Sequence, residues 1–331
     1  MMNSEFSFIR SIMPKFHFHT DVIQGIGDDA ALLQADDEYD YVVSCDMLVE
    51  DIHFKKSTLS PQDIGYKSMA VNLSDLAAMG AKPKFYFVSI AVPNKSWNEL
   101  EIQEIYRGMN ELAEKFQVDL VGGDTVSTKH SLVISVMVIG QVEKNRHLLR
   151  SHAKHGDIVF VTGSLGASSA GLALLLEKGR DIFYREKELR LVQAHQRPYP
   201  QVEAGRLFAK LNVRVALNDI SDGVANEAFE IAEASGKRLI LDYDKIPKHP
   251  DLDLFCDDEI ERFVLYGGED FQLLGCVAKE EWARVKQVFD KAHIPLVQIG
   301  VVEDGEPAVY LKKHANVNKL EQHGYDHFNN S

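Results

Sequence analysis

The feature that most constrains this chain is a set of carboxylates placed where carboxylates are costly. Asp28 and Asp29 lie in GIGDDAALL, Asp46 follows the run YVVSC, Asp75 lies in AVNLSDLAAMGA, and Asp124 lies in LVGGDTV. Asp219 and Asp222 lie in ALNDISDGV, and Glu269 and Asp270 lie in YGGEDFQLL. Each stands beside glycine or inside an apolar segment. A carboxylate buried in such a setting must be paired or must hold a metal. Any fold this chain adopts has to give these acids partners.

The spacing around Asp75 sharpens the point. Ser68, Asn72 and Asp75 recur at intervals of four and three, so on a helix they share one face. The rest of that helix is small and apolar, from Met69 through Ala78. Taken alone, Asp75 fits a buried hydrogen-bonded role as well as a ligand role. The set is harder to explain that way. Asp29, Asp46, Asp75, Asp124 and Asp222 each fall near a strand end or in a helix beside glycine, where α/β proteins place ligands. If they converge, their repulsion requires cations. Oxygen donors without His or Cys pairs point to Mg²⁺ or a similar hard ion, and carboxylate-held Mg²⁺ points to a nucleotide phosphate.

At ~150 residues per domain, 331 residues suggest two domains. With 45% hydrophobic and 26% charged residues the chain has the make-up of a globular protein, not a disordered one. The formal charge of −14 argues against a nucleic-acid partner, which needs cations to displace counterions. Cys45, Cys256 and Cys276 are odd in number and widely spaced, which suggests free thiols in a reducing compartment. The N-terminus lacks a signal-peptide pattern, and the longest apolar stretch, 132–139, is too short to span a bilayer. These readings predict a cytoplasmic protein with no membrane partner.

Periodicity predicts helices over 4–13, 61–79, 168–178, 224–234 and 279–292, and strands over 41–45, 85–92, 118–121, 132–140, 157–162, 214–220, 238–241, 271–277 and 297–302. A further helix runs to Phe116, with Ser96 as its cap and Glu99 completing a capping box. A polar stretch after Arg150 marks a boundary, dividing the chain into 1–150 and 151–331. Strands and helices alternate in both halves, so the class is mixed α and β. Strand edges in the first half favour dimerisation. The acidic run Asp251–Glu261 lacks the glycine of a calcium loop and reads as solvated.

Several chemistries drop out. There is no P-loop: Gly236-Lys237 is followed by Arg238. Gly25-Ile26-Gly27 is a poor dinucleotide fingerprint, because Asp28 and Asp29 occupy the phosphate position. Zinc-protease histidine pairs and a nucleophile elbow are absent. The turn Gly163–Gly166 opens a helix whose amides suit an anion, although a plain tight turn explains it equally well.

The ordered series SEFSFIR, GIGDDAALL, DMLVEDIHF, GYKSMAVNLSDLAAMGAKP, VGGDTV, GDIVFVTGSLGASSAGL, ALNDISDGV, YGGEDFQLL and GYDHF resembles the thiamine-monophosphate kinase family. That family sits within the superfamily of aminoimidazole-ribonucleotide and selenophosphate synthetases. The resemblance runs nearly end to end. It implies an α/β (α+β) fold of two domains. Residues 1–150 would form an ATP- and metal-binding domain whose mixed sheet pairs across a homodimer, and 151–331 an α/β sandwich completing the active site. It implies ATP-dependent phosphorylation of thiamine monophosphate to thiamine diphosphate, by direct transfer with several Mg²⁺ ions and no dedicated base.

Carried over by position, Asp29, Ser44, Cys45, Asp46, Asp75, Asp124, Asp219 and Asp222 match metal ligands. Tyr106, Gly123, Asp124, Arg150 and Ser221 match nucleotide contacts, and His53, Glu269 and Tyr325 match substrate contacts. Without the resemblance, His53 would read as an ordinary surface or core histidine. Relatives usually carry Thr where this chain has Cys45, so that ligand is either a backbone carbonyl or a weakened side chain. Two alternatives remain. One is another synthetase of the superfamily, although residues 1–44 lack the cysteine a selenophosphate enzyme would carry. The other is a non-catalytic Mg-nucleotide scaffold.

Overall fold

The computed structural model describes residues 9, 11–14 and 16–321. Most of the helix expected over 4–13 and all of the GYDHF segment, with Tyr325, lie outside the described residues.

The first half is a six-stranded sheet ordered β1-β2-β3-β6-β4-β5. Its strands are β1 Val22–Gln24, β2 Ala31–Gln34, β3 Tyr39–Val49, β4 Lys82–Pro93, β5 Asp119–Thr128 and β6 Val133–Glu143. All neighbours run antiparallel except β4 and β5, which are parallel. β3 and β6 pair in unbroken register from Tyr39↔Glu143 to Val49↔Val133. Every second residue of β6, from Ile134 to Val142, is buried, the period of a strand with one covered face. Helices α1 (Pro61–Ala78) and α2 (Glu99–Phe116) pack on that face.

Helix α1 is the spine of the molecule. Ser60 and Asp63 form a capping box at its start, with Pro61 at the first helical position. It ends at Met79, before Gly80 in the left-handed region (φ +70). Ile64, Met69, Leu73, Leu76 and Ala77 are fully buried, so no face of it is left for water. It crosses α2 so closely that a Cβ on Gly65 would stand 1.8 Å from the Ile105 carbonyl oxygen.

The second half is a seven-stranded sheet ordered β13-β12-β9-β11-β7-β10-β8. Its strands are β7 Ile158–Thr162, β8 Val215–Asp219, β9 Arg238–Asp242, β10 Leu273–Val277, β11 Leu296–Glu303, β12 Ala308–Lys313 and β13 Asn316–Lys319. Its helices are α3 (Ala167–Lys178), α4 (Glu186–Gln196), α5 (Val202–Leu211), α6 (Val224–Ser235), α7 (Asp257–Tyr266) and α8 (Trp282–Lys291). The sheet separates two cores. Ile158 and Phe160 of β7 join a core continuous with the first half, and Val159 and Val161 join a second on the other face. Both faces of this sheet are covered, which explains its uninterrupted apolar strands. The first half is bound to the second by α1, which packs on α5 and β8. Among the described residues no helix is long and apolar enough to cross a membrane.

Three expectations are corrected. The cap of α2 is Asn98, boxed with Glu101, not Ser96 with Glu99. Trp97 is buried and donates from Nε1 to Glu50 at 3.0 Å, so the helix begins only after it. Strand β5 runs on through Gly122-Gly123-Asp124 to Thr128. Gly123 (φ +152) lets it hug β4: a Cβ there would lie 1.8 Å from the Val88 carbonyl oxygen. The acidic run 251–261 is solvated at Asp253, Asp257 and Asp258, as expected, but it is helical rather than a loop over 250–254 and from 257 onward. Asp251 is buried in a fork with Arg190 (2.7 and 2.9 Å), and Asp257 opens α7.

The close crossing of α1 and α2 gives a prediction. A Cβ on Gly108 would stand 1.8 Å from the Gln62 carbonyl oxygen. Gly108→Ala must push the helices apart, and it lowers stability by about 1–3 kcal/mol. A urea unfolding midpoint equal to that of the parent chain would contradict this.

Candidate active site

Strand and helix ends from both halves meet in a cleft of about 350 Å³ lined by Gly25–Ala31, Val43–Asp46, Asp75, Arg150, Asp219 and Ser221. The turn before β2 carries Asp29, α1 carries Asp75 and the end of β8 carries Asp219. One carboxylate oxygen from each lies within 4.8 Å of those of the other two. From β3, Ser44 donates its hydroxyl to Asp75 Oδ2, and the Asp46 amide donates to Asn72 Oδ1 at 3.1 Å. Asn72 in turn donates to the Ser68 carbonyl at 3.0 Å, so the expected polar face of α1 exists and is buried. Ser74 donates to Asp219 Oδ2 at 2.6 Å.

These acids repel one another. Burial raises the Asp75 pKa well above its usual value, and the charges of Asp46, Asp219 and Asp29 push it further. Asp29 is raised by burial and by Asp219 and Asp28 against the pull of Arg150. Burial lifts Asp219 to about 6 and Asp28 to about 6. Asp29 Oδ2 is buried with no hydrogen-bond partner. A pocket of oxygen donors with excess negative charge and an orphaned carboxylate oxygen fits a hard divalent cation.

Arg150 is the one guanidinium in the cleft lining. It pairs with Asp29 and Glu230, donates from Nε to Asn218 Oδ1 at 3.1 Å, and its amide donates to Asp28 Oδ2 at 3.2 Å. Behind it, Glu227 accepts from Asn218 Nδ2 at 2.6 Å and from the Asp222 amide at 3.0 Å. Burial raises the Glu227 pKa well above normal, with Glu230 and Asp222 adding to it.

Of the residues expected here, Asp29, Ser44, Cys45, Asp46, Asp75, Asp219, Arg150 and Ser221 line one cleft. Asp222 sits on the adjoining turn against Glu227. Asp124 and Gly123 do not line it. In the sheet register Met47 faces Ser135, Ser135 faces Ser89, and Ser89 faces Asp124. Asp124 is thus three strand spacings from β3, about 14 Å along the sheet, exposed on the edge strand. Tyr106, on α2, packs against the first core instead. Cys45 Sγ lies 3.5 Å from Ser135 Oγ, on the sheet face opposite to Ser44 and Asp46. Its thiol therefore points away from the acids, and only its backbone faces the side where Ser44 meets Asp75.

A second polar cluster stands at the other end of α1. Glu269, held at φ +65, accepts from Lys67 Nζ at 2.7 Å and lies 3.3 Å from His195 Nδ1. Burial raises the Glu269 pKa, but the charges of Lys67, His195 and His53 outweigh it, so the carboxyl titrates below its usual range. Burial, with Lys67 adding to it, depresses His195 to about 3. His53 accepts the Val49 amide at 3.0 Å through Nδ1. Asp270, lifted by burial to about 7, accepts from the amides of Gly166 and Ser168 at 2.6 and 3.1 Å. The helix start at Gly163–Gly166 is therefore occupied by the protein's own carboxylate, and it is the tight-turn reading that stands.

Sequence reasoning missed Lys67, Asn218, Glu227 and Glu230. A signal existed for one of them: Lys67 is the lone cation in its helix.

The chain is matched by the families described as AIR synthase related protein, N-terminal domain, over residues 27–142, and AIR synthase related protein, C-terminal domain, over residues 154–312. Its two halves are thus the two domains of an AIR-synthase-related protein. Within that class it is similar to the thiamine-monophosphate kinase of Bacillus subtilis, 49% identical over 98% of this chain and 99% of that one. It is also similar to the thiamine-monophosphate kinase of Pyrococcus horikoshii, 33% identical over 98% of this chain and 96% of that one. The solved structure of AaThiL complexed with AMPPCP and TMP superposes with a TM-score of 0.83 at 32% identity, covering 98% and 97% of the two chains. The chain belongs to the thiamine-monophosphate kinase family.

Asp75→Asn tests the electrostatic account. The substitution keeps an acceptor for Ser44 and removes one charge from the cluster. In metal-free protein at pH 7 it raises the melting temperature by about 2–4 °C, equivalent to roughly 1 kcal/mol. The raised carboxylates bind protons more tightly folded than unfolded, so their cost grows with pH between the two pKa values. The gain therefore shrinks as pH falls from 7 toward 5. A large loss of stability at pH 7 would make Asp75 a structural residue.

Proposed function

We propose that this protein transfers the γ-phosphoryl group of ATP to the phosphate of thiamine monophosphate, forming thiamine diphosphate and ADP. The observation that carries the reading is the trio Asp29, Asp75 and Asp219, with oxygens within 4.8 Å of one another beside a single arginine, in a chain of this family. A phosphate oxygen of thiamine monophosphate forms the new bond to the γ-phosphorus as the bond to the β–γ bridging oxygen breaks. The bridging electron pair leaves with ADP. The acceptor oxygen is already ionised at neutral pH, so no side chain has to act as base, and positioning with charge neutralisation supplies the rate.

Asp29, Asp46, Asp75, Asp219 and Asp222, with Ser44 and the Cys45 backbone, would hold Mg²⁺ ions. Bound there, the ions offset the repulsion between the two phosphates and the developing charge on the transferred group. Arg150 pairs with Asp29 here, and with that carboxylate engaged by a cation its planar fork would be available to the nucleotide phosphates. Ser221 lines the same wall. His53 and Glu269 hold the thiamine end of the substrate, and Lys67 keeps Glu269 ionised. Tyr325 is assigned to the same end from its position in GYDHF.

We assign residues 1–150 to nucleotide and metal binding and to dimerisation, and 151–331 to completing the active site. A second copy would cover the outer face of the first sheet, where Tyr41, Met47, Phe85 and Leu120 are exposed, and the open edge of β5. Asp124, Gly123 and Tyr106 belong to the nucleotide contacts in this reading, although in one chain they stand off the cleft. A cytoplasmic location accords with three free cysteines.

Purified protein supplied with ATP, Mg²⁺ and thiamine monophosphate yields thiamine diphosphate and ADP in equal amounts. Folded, Mg²⁺-loaded protein that makes neither refutes the assignment. ATP binding without ADP release would mark a scaffold, and turnover of formylglycinamidine ribonucleotide a synthetase. Glu269→Gln raises KM for thiamine monophosphate about tenfold, the scale of one charged hydrogen bond, and leaves KM for ATP near its starting value. Equal shifts in both constants would remove Glu269 from the substrate end.

A further inference from the structure

The turn Arg150–His152 borders two recesses. Arg150 lines the acidic cleft, whereas Ser151 and His152 line a second cavity of about 360 Å³. Its charged lining is wholly cationic: Arg146, Lys154 and Arg214, with the imidazoles of His147 and His152. No carboxylate lines it among the described residues, in a chain whose net charge is −14. The two recesses of this junction thus carry opposite charge.

The charges are not all satisfied internally. Arg214 is used: it forks onto Asp157 at 2.6 and 2.7 Å and donates to the His152 carbonyl at 2.6 Å. Asp40 acts on His147 from β3. Arg146 and Lys154 have no ion pair among the described residues. One donor is buried without any partner, Nη1 of Arg146, and the ring nitrogen Nδ1 of His147 is likewise buried and unpartnered. A buried N–H with no acceptor is costly, so it marks a place where an acceptor belongs.

The backbone that carries these side chains is fixed on both sides of the cavity. The Arg146 amide donates to the Glu143 carbonyl at 2.9 Å, and the Leu148 amide donates to the Met79 carbonyl at 3.3 Å. Leu148 packs against Gly80, where an added Cβ would come within 3.0 Å of it. On the other side the Lys154 amide is fixed by Asp157 Oδ2 at 2.8 Å. Guanidinium and ammonium groups around one cavity suit the tetrahedral oxygens of phosphate, and the volume exceeds that of a single phosphate.

We propose that this cavity binds a small phosphate-bearing anion, at a site separate from the acidic cleft. The proposal does not depend on which phosphoryl transfer the cleft performs. It is tested by titrating inorganic pyrophosphate into the full chain by calorimetry in EDTA, where the metal-free acidic cleft repels the probe. The expected result is saturable binding at one site per chain, weakened about tenfold or more by Lys154→Glu and by Arg146→Ala, and retained in Arg150→Ala. Lys154 is exposed, so its substitution leaves the fold intact and keeps the test valid if Arg146→Ala is unstable. Absence of saturable binding would overturn the proposal. So would parental affinity in Lys154→Glu, or loss of binding in Arg150→Ala, which would assign the anion to the cleft.

Discussion

Mutual repulsion among Asp29, Asp75 and Asp219 is the constraint around which this molecule is built. Three carboxylates within 4.8 Å of one another in a largely desolvated cleft are unfavourable as anions, and their raised pKa values express it. The protein tolerates the arrangement by surrounding it with donors. Ser44, Ser74 and Arg150 each give a hydrogen bond to one of the three acids. Removing these donors would leave the acids to protonate or to force the cleft open. Holding the acids in a rigid frame keeps one oxygen of each converged on a single point despite that repulsion.

The frame is α1. One helix carries Lys67 near its start and Asp75 near its end, so it ties the cation that ionises Glu269 to the clustered acids two turns away. It touches α2, β3 and β6 of the first half and α5 and β8 of the second. Gly65, Gly108 and Gly205 are the places where backbones pass in contact, Gly205 against the Ala77 carbonyl at 2.0 Å from an ideal Cβ. Its burial on all sides explains both its apolar sequence and the intolerance of its neighbours to added volume. Opposed signs in the two recesses beside Arg150–His152 follow from the same junction, where carboxylates gather on one side and arginines on the other.

Much of this was legible in the residues. The acids beside glycine, the Ser68–Asn72–Asp75 face and the end-to-end series of segments pointed to the cleft and its family. Local signals failed where two patterns competed or where a contact was distant. Ser96 and Asn98 both offer a capping box, and the choice fell to Trp97, whose burial against Glu50 sets where the helix starts. Asp251 looked solvated because its partner, Arg190, lies on a different helix. The extension of β5 through Gly122 and Gly123 was hidden because glycine carries no strand signal of its own.

The chain's order of residues, then, determined which carboxylates are set in apolar surroundings, which helix faces they occupy and which family the series belongs to. These are properties of spacing and side-chain type, and they are readable along one dimension. Only the tertiary structure decided that Asp29, Asp75 and Asp219 meet while Asp124 stands on an edge strand, that the Cys45 thiol turns away from Ser44 and Asp46, and that Lys67 finds Glu269. Those facts depend on strand register and helix crossing, which are fixed by packing between segments distant in the chain, as far as 202 residues for Lys67 and Glu269. No local pattern records them.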